Sequence, residues 1–281
     1  MTVRWRLDVA YDGTAFSGWA AQPGLRTVEE ELSTWIGRVL RLDEPPVLTC
    51  AGRTDSGVHA RGQVVHVDLP AVSDAGRGGP ADTGELLARR LPRALPDDLV
   101  VHAVTLAPAG FDARFSAVWR RYVYRLWDSP ADRDPLRRHH VVLHPDRLDV
   151  DLLAAAGSDL VGLHDFAAFC KRRDGATTIR TLETVEAVRL ADRTIEVTVR
   201  ADAFCHSMVR SLMGALTSVA SGRRDRDWLR GLLTLGERAG EIGVMAPHGL
   251  TLEEVGYPSD ADLAARAIEA RATRQLPEVD A

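Results

Sequence analysis

The chain begins with a regular alternation of side chains. From residue 3 to residue 11, large apolar or aromatic residues stand at every second position, namely Val3, Trp5, Leu7, Val9 and Tyr11. Because successive side chains of a β-strand point to opposite faces, this period of two predicts a half-buried strand. Asp12-Gly13 then supplies a turn at which the strand ends.

The rest of the first half, predicted to span residues 1–107, combines helices and strands. Apolar residues at helical spacing predict an amphipathic helix over 28–41, and Thr27 with Glu30 predicts a capping box at its start. Residues 71–84 are rich in Gly, Pro, Ser and Asp and are interpreted as a flexible surface loop. The other elements predicted here are three strands and a short helix, at 47–51, 63–69, 99–106 and 84–91 respectively.

The second half, predicted to span residues 108–259, repeats the coarse order of strand, helix, paired strands and helix. Its strands are predicted at 117–127, 182–190, 194–203 and 250–256, and its helices at 149–157, 206–220 and 225–235. Residues 260–281 are interpreted as a loosely attached helix or a disordered tail. The pattern predicts an α+β fold of two similar α/β halves with largely antiparallel sheets flanked by helices.

Composition excludes several classes of protein. The 281 residues are 45% hydrophobic, which suffices for a buried core, and no apolar run approaches the ~18 residues of a membrane span. The three cysteines, Cys50, Cys170 and Cys205, lie far apart without a C-x-x-C motif, so we expect neither a disulfide framework nor a zinc site. Such cysteine usage favours a reducing cytoplasm. Glycine-rich nucleotide-binding motifs do not occur in the sequence, so a nucleotide cofactor is not supported.

The distribution of charge bears on nucleic-acid binding. A net charge of −5 argues weakly against a nucleic-acid partner. Residues 114–138, however, carry seven Arg against three Asp. The segment is either a set of solvated surfaces or a basic strip for a phosphate backbone, and the charge pattern alone leaves both interpretations open.

A loop between two predicted strands carries the densest group of polar residues. Residues 51–60 read AGRTDSGVHA, so Asp55 has Arg53 two positions before it and His59 four positions after it. Gly52 and Gly57 flank the charged residues and allow another backbone to approach closely. Asp-Ser-Gly by itself is a common turn, but this loop holds more polar chemistry than a simple hairpin needs.

The segment AGRTDSGVHARGQVVHVD resembles the signature loop of the bacterial tRNA pseudouridine synthase A family. The resemblance runs over about residues 5–257, with further similar motifs in the same order as in the family. These are YDGT with GW at 11–19, DARFS with RYVY at 112–124, FCHSMVR at 204–210, and APHGL with YP at 246–258. The chain departs from the common pattern at Ala20 and Glu29, where the family usually has Gln.

The resemblance implies a role for each of four residues. Asp55 would be the catalytic nucleophile, and Arg210 its basic partner, since a nearby cation favours a carboxylate and orients it. Tyr122 would stack on the target base, and Arg53 would help to extrude the uridine. The family also implies an active-site cleft between the halves, uridines 38, 39 and 40 of the tRNA anticodon stem-loop as substrates, and a homodimer. It implies no metal, organic cofactor, membrane or DNA partner.

The residues by themselves leave alternative functions open. A non-catalytic RNA-binding protein would keep the basic strip and the aromatic residues but would not need Asp55. A hydrolase acting on a nucleoside or sugar would need a second carboxylate near Asp55, and no motif supplies one. A pseudouridine synthase with another RNA target is the third alternative. His59, His66, His206 and His248 do not have the spacing of metal ligands and are interpreted as structural or RNA-contacting residues.

Overall fold

A computed structural model describes residues 2–70, 83–171 and 177–272. The described strands are β1 (Thr2–Tyr11), β2 (Leu48–Cys50), β3 (His59–Pro70), β4 (Leu99–Leu106), β5 (Trp119–Trp127), β6 (Val142–Leu143), β7 (Gly162–Asp165), β8 (Ile179–Arg189), β9 (Ile195–Ala201) and β10 (Leu250–Gly256). The described α-helices are α1 (Val28–Leu40), α2 (Thr83–Ala94), α3 (Val150–Ser158), α4 (Met208–Ala220), α5 (Arg226–Gly231) and α6 (Leu263–Glu269). The loop predicted at 71–84 falls largely outside the described residues.

The chain divides into two compact units. The first contains Met1–Val118 and Leu252–Arg271, and the second contains Trp119–Thr251. These limits differ from the predicted ones of 1–107, 108–259 and 260–281, because β10 lies beside β3 and carries the end of the chain back to the first unit. Among the described residues, none of the helices has the length and apolar character needed to cross a membrane.

The first unit is a sheet with the strand order β4-β1-β3-β10, in which β2 also pairs with β3. The strands β1, β3 and β4 are antiparallel, and the register sets Leu7 opposite Val65. Both side chains are fully buried, as the alternation in β1 predicts, and helix α2 packs against the sheet at β4. Helix α2 comes so close that a Cβ atom added to Gly84 would lie 2.2 Å from the Trp5 ring.

Helix α1 begins at the predicted residue, but the predicted capping box is wrong. The side chain of Thr27 makes no capping hydrogen bond. Two N–H groups of the first turn instead donate to backbone carbonyls, from Val28 to Gly18 at 3.2 Å and from Glu29 to Trp19 at 3.0 Å. These contacts satisfy donors that a cap would otherwise satisfy, and they tie the start of α1 to the segment before it.

The second unit is a sheet with the order β5-β9-β8-β7, in which neighbouring strands are antiparallel and β6 runs parallel to β5. The predicted hairpin between β8 and β9 is present, with Arg193 in the left-handed conformation at φ 68°. Helix α3 covers β8 so closely that a Cβ atom on Gly157 would lie 2.4 Å from Val185. The predicted α+β class with largely antiparallel sheets flanked by helices is confirmed.

Asp128, at the end of β5, anchors several segments of the second unit. Its buried carboxylate accepts two 2.8 Å hydrogen bonds from Arg189, one of 3.1 Å from Arg147 and one of 2.9 Å from the backbone of Leu148. Burial opposes the charged form, but the hydrogen bonds, above all those from Arg189, hold the pKa of Asp128 well below its ordinary value. The charge of Asp128 therefore contributes to the stability of the fold.

Two features at the chain's cysteines and its end differ from expectation. Cys170 and Cys205 form a disulfide with their Cα atoms 5.8 Å apart, whereas no disulfide framework was expected. A sequence separation of 35 residues gives no hint of this pairing, and the backbone N–H of Lys171 donates to the carbonyl of His206 beside it. Helix α6, expected to be loosely attached, is docked: Leu263 is buried, and its carbonyl accepts a hydrogen bond from Ser116.

Candidate active site

The loop that carries Asp55 lies between β2 and β3 and is a tight turn. Strand β3 begins at His59, four residues earlier than predicted, so residues 51–58 form the loop. The N–H of Val58 donates to the carbonyl of Asp55 at 3.1 Å, and Gly57 between them has φ 77°. A positive φ at this position of a turn favours glycine. The turn presents the Asp55 side chain half-buried and leaves Arg53 exposed.

The segment 13–19 supports this loop from one side through backbone contacts. Trp19 donates its N–H to the carbonyl of Thr54 at 3.0 Å, and Gly57 donates to Phe16 at 3.3 Å. A Cβ atom on Gly13 would lie 2.1 Å from the carbonyl oxygen of Val58, so only glycine fits there without a shift of the backbone. The two motifs that frame the resemblance, YDGT with GW and the Asp55 loop, are thus one structural feature.

Two buried polar side chains, those of Gln63 and Tyr11, contact the same loop, and a third, that of Thr54, belongs to it. The Gln63 side-chain nitrogen donates to the Gly52 carbonyl at 2.6 Å and to the Tyr11 hydroxyl at 3.4 Å, and its oxygen accepts the Gly52 N–H at 3.4 Å. The hydroxyls of Tyr11 and Thr54 lie 2.7 Å apart. Gln63 was not predicted as a functional residue, because a polar residue in a strand normally faces solvent, whereas this one is fully buried.

His59, which was predicted to be a structural or an RNA-contacting residue, holds part of the backbone near the loop. It is buried, and its Nδ1 accepts the N–H of Gly13 at 2.9 Å. The Asp12 carboxylate also lies close to this nitrogen, at 3.1 Å. His66 is similar, since Nδ1 accepts the Ala113 N–H at 2.9 Å and burial lowers the pKa of the imidazole.

The other two predicted site residues lie in the second unit. Tyr122, in β5, is 7% exposed, and its ring meets that of Phe204 edge to face with the centroids 5.1 Å apart. Arg210 lies in the first turn of α4, where Nε donates to the carbonyl of Met245 at 2.7 Å and its own carbonyl accepts the Met245 N–H at 3.1 Å. The backbone of Met245 therefore fixes the position of Arg210.

Tyr124 supports the same segment and was not singled out by the sequence. Its hydroxyl donates to the carbonyl of Ala246 at 2.6 Å, next to Met245. Burial raises the pKa of Tyr124 far above its ordinary value, which the charge of Arg210 opposes in part. A neutral hydroxyl is therefore kept as a donor, and the only signal for it in the sequence is its place in the RYVY motif.

The proposed basic strip over residues 114–138 is not uniform. Arg120 and Arg125 are buried, where Arg120 donates to the carbonyl of Asp202 and Arg125 pairs with Glu196 at 2.8 Å. Arg137 pairs with Asp192. Arg120 and Arg125 therefore belong neither to a solvated surface nor to a basic strip, because both are buried, and Arg137 is held in an ion pair. Arg114, Arg133 and Arg138 are exposed.

Comparison with known proteins identifies the family. A family model described as tRNA pseudouridine synthase matches residues 156–258. The chain is 62% identical over 278 residues to a tRNA pseudouridine synthase A of Cutibacterium acnes, covering 98% of this chain and 96% of the relative. The chain belongs to the tRNA pseudouridine synthase A family. Members of this family isomerise uridine to pseudouridine in tRNA, so the resemblance and the enzyme class expected from the sequence are confirmed.

Other members of the tRNA pseudouridine synthase A family match over nearly the full length. The protein from Streptomyces avermitilis is 55% identical, covering 98% of this chain and 95% of the relative. The protein from Mycobacterium leprae is 48% identical, covering 97% of this chain and 96% of the relative. A chain of a solved archaeal box H/ACA sRNP Nop10-Cbf5 complex is 14% identical, and the match covers 76% of this chain and 42% of that chain. Its TM-score is 0.30, so it adds nothing to the assignment of the family.

Proposed function

We propose that this protein converts uridine to pseudouridine at positions 38, 39 and 40 in the anticodon stem-loop of tRNA. The proposal rests on the position of Asp55, which lies in a turn that backbone hydrogen bonds to Trp19 and Phe16 hold in place. A carboxylate held in this way is suited to nucleophilic catalysis, which requires a positioned group more than a flexible one.

The reaction exchanges one bond of the uridine for another. The N1–C1′ glycosidic bond breaks, the uracil turns within the site, and C5 joins C1′, while the hydrogen of C5 is lost to solvent and N1 gains a proton. Asp55 acts by attacking C1′, by attacking C6 or by removing the 2′ proton. Uracil leaves as a delocalised anion and stays bound, so a second carboxylate acid is less necessary than in glycoside hydrolysis.

The remaining candidate residues bind the substrate in this proposal. Arg53 is exposed beside Asp55 and helps to extrude the uridine, because a base cannot be reached inside a stem and flipping it costs a few kcal/mol. Tyr122 offers an aromatic surface to the base, and such stacking contributes about 1–3 kcal/mol. Arg210 is a substrate-binding cation whose position Met245 fixes.

The partners follow from the family and from charge. The tRNA anticodon stem-loop is the proposed substrate, and a homodimer is the proposed active assembly. The cytoplasm is the proposed location on the ground of the tRNA substrate and not of the cysteines, since two of these are paired. A net charge of −5 is compatible with RNA binding if exposed arginines such as Arg114, Arg133 and Arg138 meet the phosphates and acidic surfaces face solvent. Two copies would double the basic surface presented to one tRNA.

Mapping of the product tests the substrate assignment. Unmodified transcripts of one tRNA, with uridine at 38, 39, 40 or at none of these positions, are incubated with the enzyme, and pseudouridine is located by mass spectrometry of nuclease fragments. The proposal predicts pseudouridine at each of the three positions and none in the fourth transcript. Pseudouridine elsewhere in the tRNA would contradict the proposed positions and leave the isomerase activity standing.

A further inference from the structure

We propose that Gln63, Tyr11 and Thr54 are positioning residues that hold the Asp55 loop in its active geometry. The inference rests on the proposed function of Asp55 and adds to it the side chains that act through the loop. The three are 0%, 5% and 7% exposed, and all belong to the first compact unit. None of them is proposed to touch the substrate.

Two of the three side chains, those of Gln63 and Tyr11, form hydrogen bonds to alternate residues of the loop, and the third, Thr54, is one of those loop residues. Gln63 binds both the carbonyl and the N–H of Gly52, and Tyr11 binds the hydroxyl of Thr54. The two loop residues held by these hydrogen bonds are thus 52 and 54. Arg53 and Asp55 follow them and are exposed and half-buried respectively. Fixing 52 and 54 therefore fixes the direction in which the two functional side chains leave the loop.

The buried hydrogen bonds of this network indicate that its side chains fix the conformation of the Asp55 loop. Removing one partner of a buried hydrogen bond is costly, whereas replacing both partners by apolar groups of the same shape can be nearly neutral. Apolar groups could therefore replace the paired hydroxyls of Tyr11 and Thr54 at little cost in stability, but not Gln63, whose partners are backbone groups of Gly52. A connected and buried polar network instead allows one arrangement, because any other leaves a polar group unsatisfied.

The contacts of Trp19 and Gly13 do not make the network redundant. They hold the backbone of the loop at Thr54 and Val58, from the side of the segment 13–19. Gly52 is held instead by the buried side chain of Gln63, which lies in β3. Backbone pairing of Ala51 with Val64 and the start of β3 at His59 fix the two ends of the loop, so loss of the network would loosen the residues between them.

A double variant separates geometry from stability. Tyr11→Phe with Thr54→Val keeps the shape of both side chains and removes both hydroxyls together. We expect kcat for pseudouridine formation to fall by about 10- to 100-fold with KM changed by less than about 3-fold, since small displacements of a reacting group have effects of this size. Amide hydrogen exchange of residues 52–58 is expected to accelerate, while the unfolding midpoint stays close to that of the wild type.

Two further variants serve as controls. Ser33→Ala removes a buried hydroxyl of α1 that donates to the carbonyl of Pro46, in the same unit but outside the loop. It should leave kcat and the amide hydrogen exchange of residues 52–58 unchanged. Thr54→Ser keeps the hydroxyl and should stay within about 3-fold of the wild-type kcat. Gln63→Leu should lower kcat as the double variant does, but it should also lower the unfolding midpoint, because the backbone groups of Gly52 lose their partner.

The outcomes separate this inference from the proposed function. An active wild type together with a double variant of wild-type kcat and loop exchange would overturn the positioning role alone. A Thr54→Ser variant as impaired as the double variant would also overturn it, because the effect would then belong to the methyl group. A wild type without activity would overturn the proposed function, and loop exchange would still decide whether the network holds the loop.

Discussion

Gly13→Ala is the perturbation whose effect follows most directly from the geometry. A Cβ atom at residue 13 would lie 2.1 Å from the carbonyl oxygen of Val58 and 2.5 Å from its carbonyl carbon. Ordinary carbon–oxygen contacts are about 3.3 Å or longer. The two backbones must therefore separate by roughly 1 Å, and neither contact atom belongs to a flexible side chain.

The displacement reaches Asp55 through the turn. The N–H of Val58 donates to the carbonyl of Asp55, so a shift of Val58 moves or breaks that hydrogen bond. Overpacking of this kind typically costs about 1–3 kcal/mol of unfolding free energy. A misplacement of about 1 Å at a catalytic group can lower the rate by about 100-fold. We expect both effects in Gly13→Ala.

Denaturant unfolding and steady-state kinetics on unmodified tRNA measure these effects. Gly231→Ala is the matched control, since a Cβ atom there meets nothing within 4 Å, and it should change neither quantity by much. A Gly13→Ala protein with wild-type unfolding and wild-type kcat would refute the close approach of residues 13 and 58. Lower stability with unchanged kcat would refute the coupling of that contact to Asp55.

Three other perturbations follow from single features of the structure. Asp128→Asn should lower the unfolding free energy by about 3 kcal/mol at pH 7, because it breaks a buried ion pair. The pKa of Asp128 is lower in the folded than in the unfolded protein, where it is about 3.9. The stabilisation by its charge is therefore fully present above that value and is lost as the pH falls through the folded pKa. The difference in unfolding free energy between the variant and the wild type should accordingly shrink only below about pH 4. Thiol titration of the unfolded, unreduced protein should detect Cys50 alone, and three thiols would contradict the Cys170–Cys205 disulfide. Affinity for tRNA should fall steeply between about 50 and 200 mM salt, and a flat response would contradict docking through phosphates.

Local patterns in the sequence predicted much of the fold. The bounds of α1, β4 and β10 agree with prediction to within about one residue, because each segment has its own period and its own turn. The capping box at Thr27 failed because carbonyls from residues 18 and 19, outside the helix, take the first-turn donors. The Cys170–Cys205 pair and the docking of α6 also depend on tertiary contacts that no local pattern encodes.

In the candidate site, too, features that depend on local sequence could be predicted, whereas those that depend on tertiary contacts could not. Arg53 and Asp55 are close in sequence, so their joint presence in one loop could be predicted. Gln63 and Tyr11 reach that loop only after β1 and β3 have paired, and a sequence gives no sign that a strand glutamine will be buried beneath a turn. Arg120 and Arg125 failed as members of a basic strip for a related reason, since β5 is covered where both arginines lie.

Burial also determines the chemistry of groups outside the site. Cys50 is buried beside the loop, and desolvation raises the pKa of its thiol to about 12. A thiol of that kind is inert as a nucleophile, so the only cysteine without a disulfide among the described residues does not compete with Asp55 for a catalytic role.

The release of tritium from tRNA that carries C5-tritiated uridine tests the central claim most directly. The account predicts release by the wild type and none above background by Asp55→Asn, with both proteins binding tRNA and unfolding at the same denaturant concentration. Release by both proteins would keep the isomerase and remove Asp55 as its nucleophile. Release by neither, with binding intact, would contradict the proposed activity and favour an RNA-binding protein without catalysis.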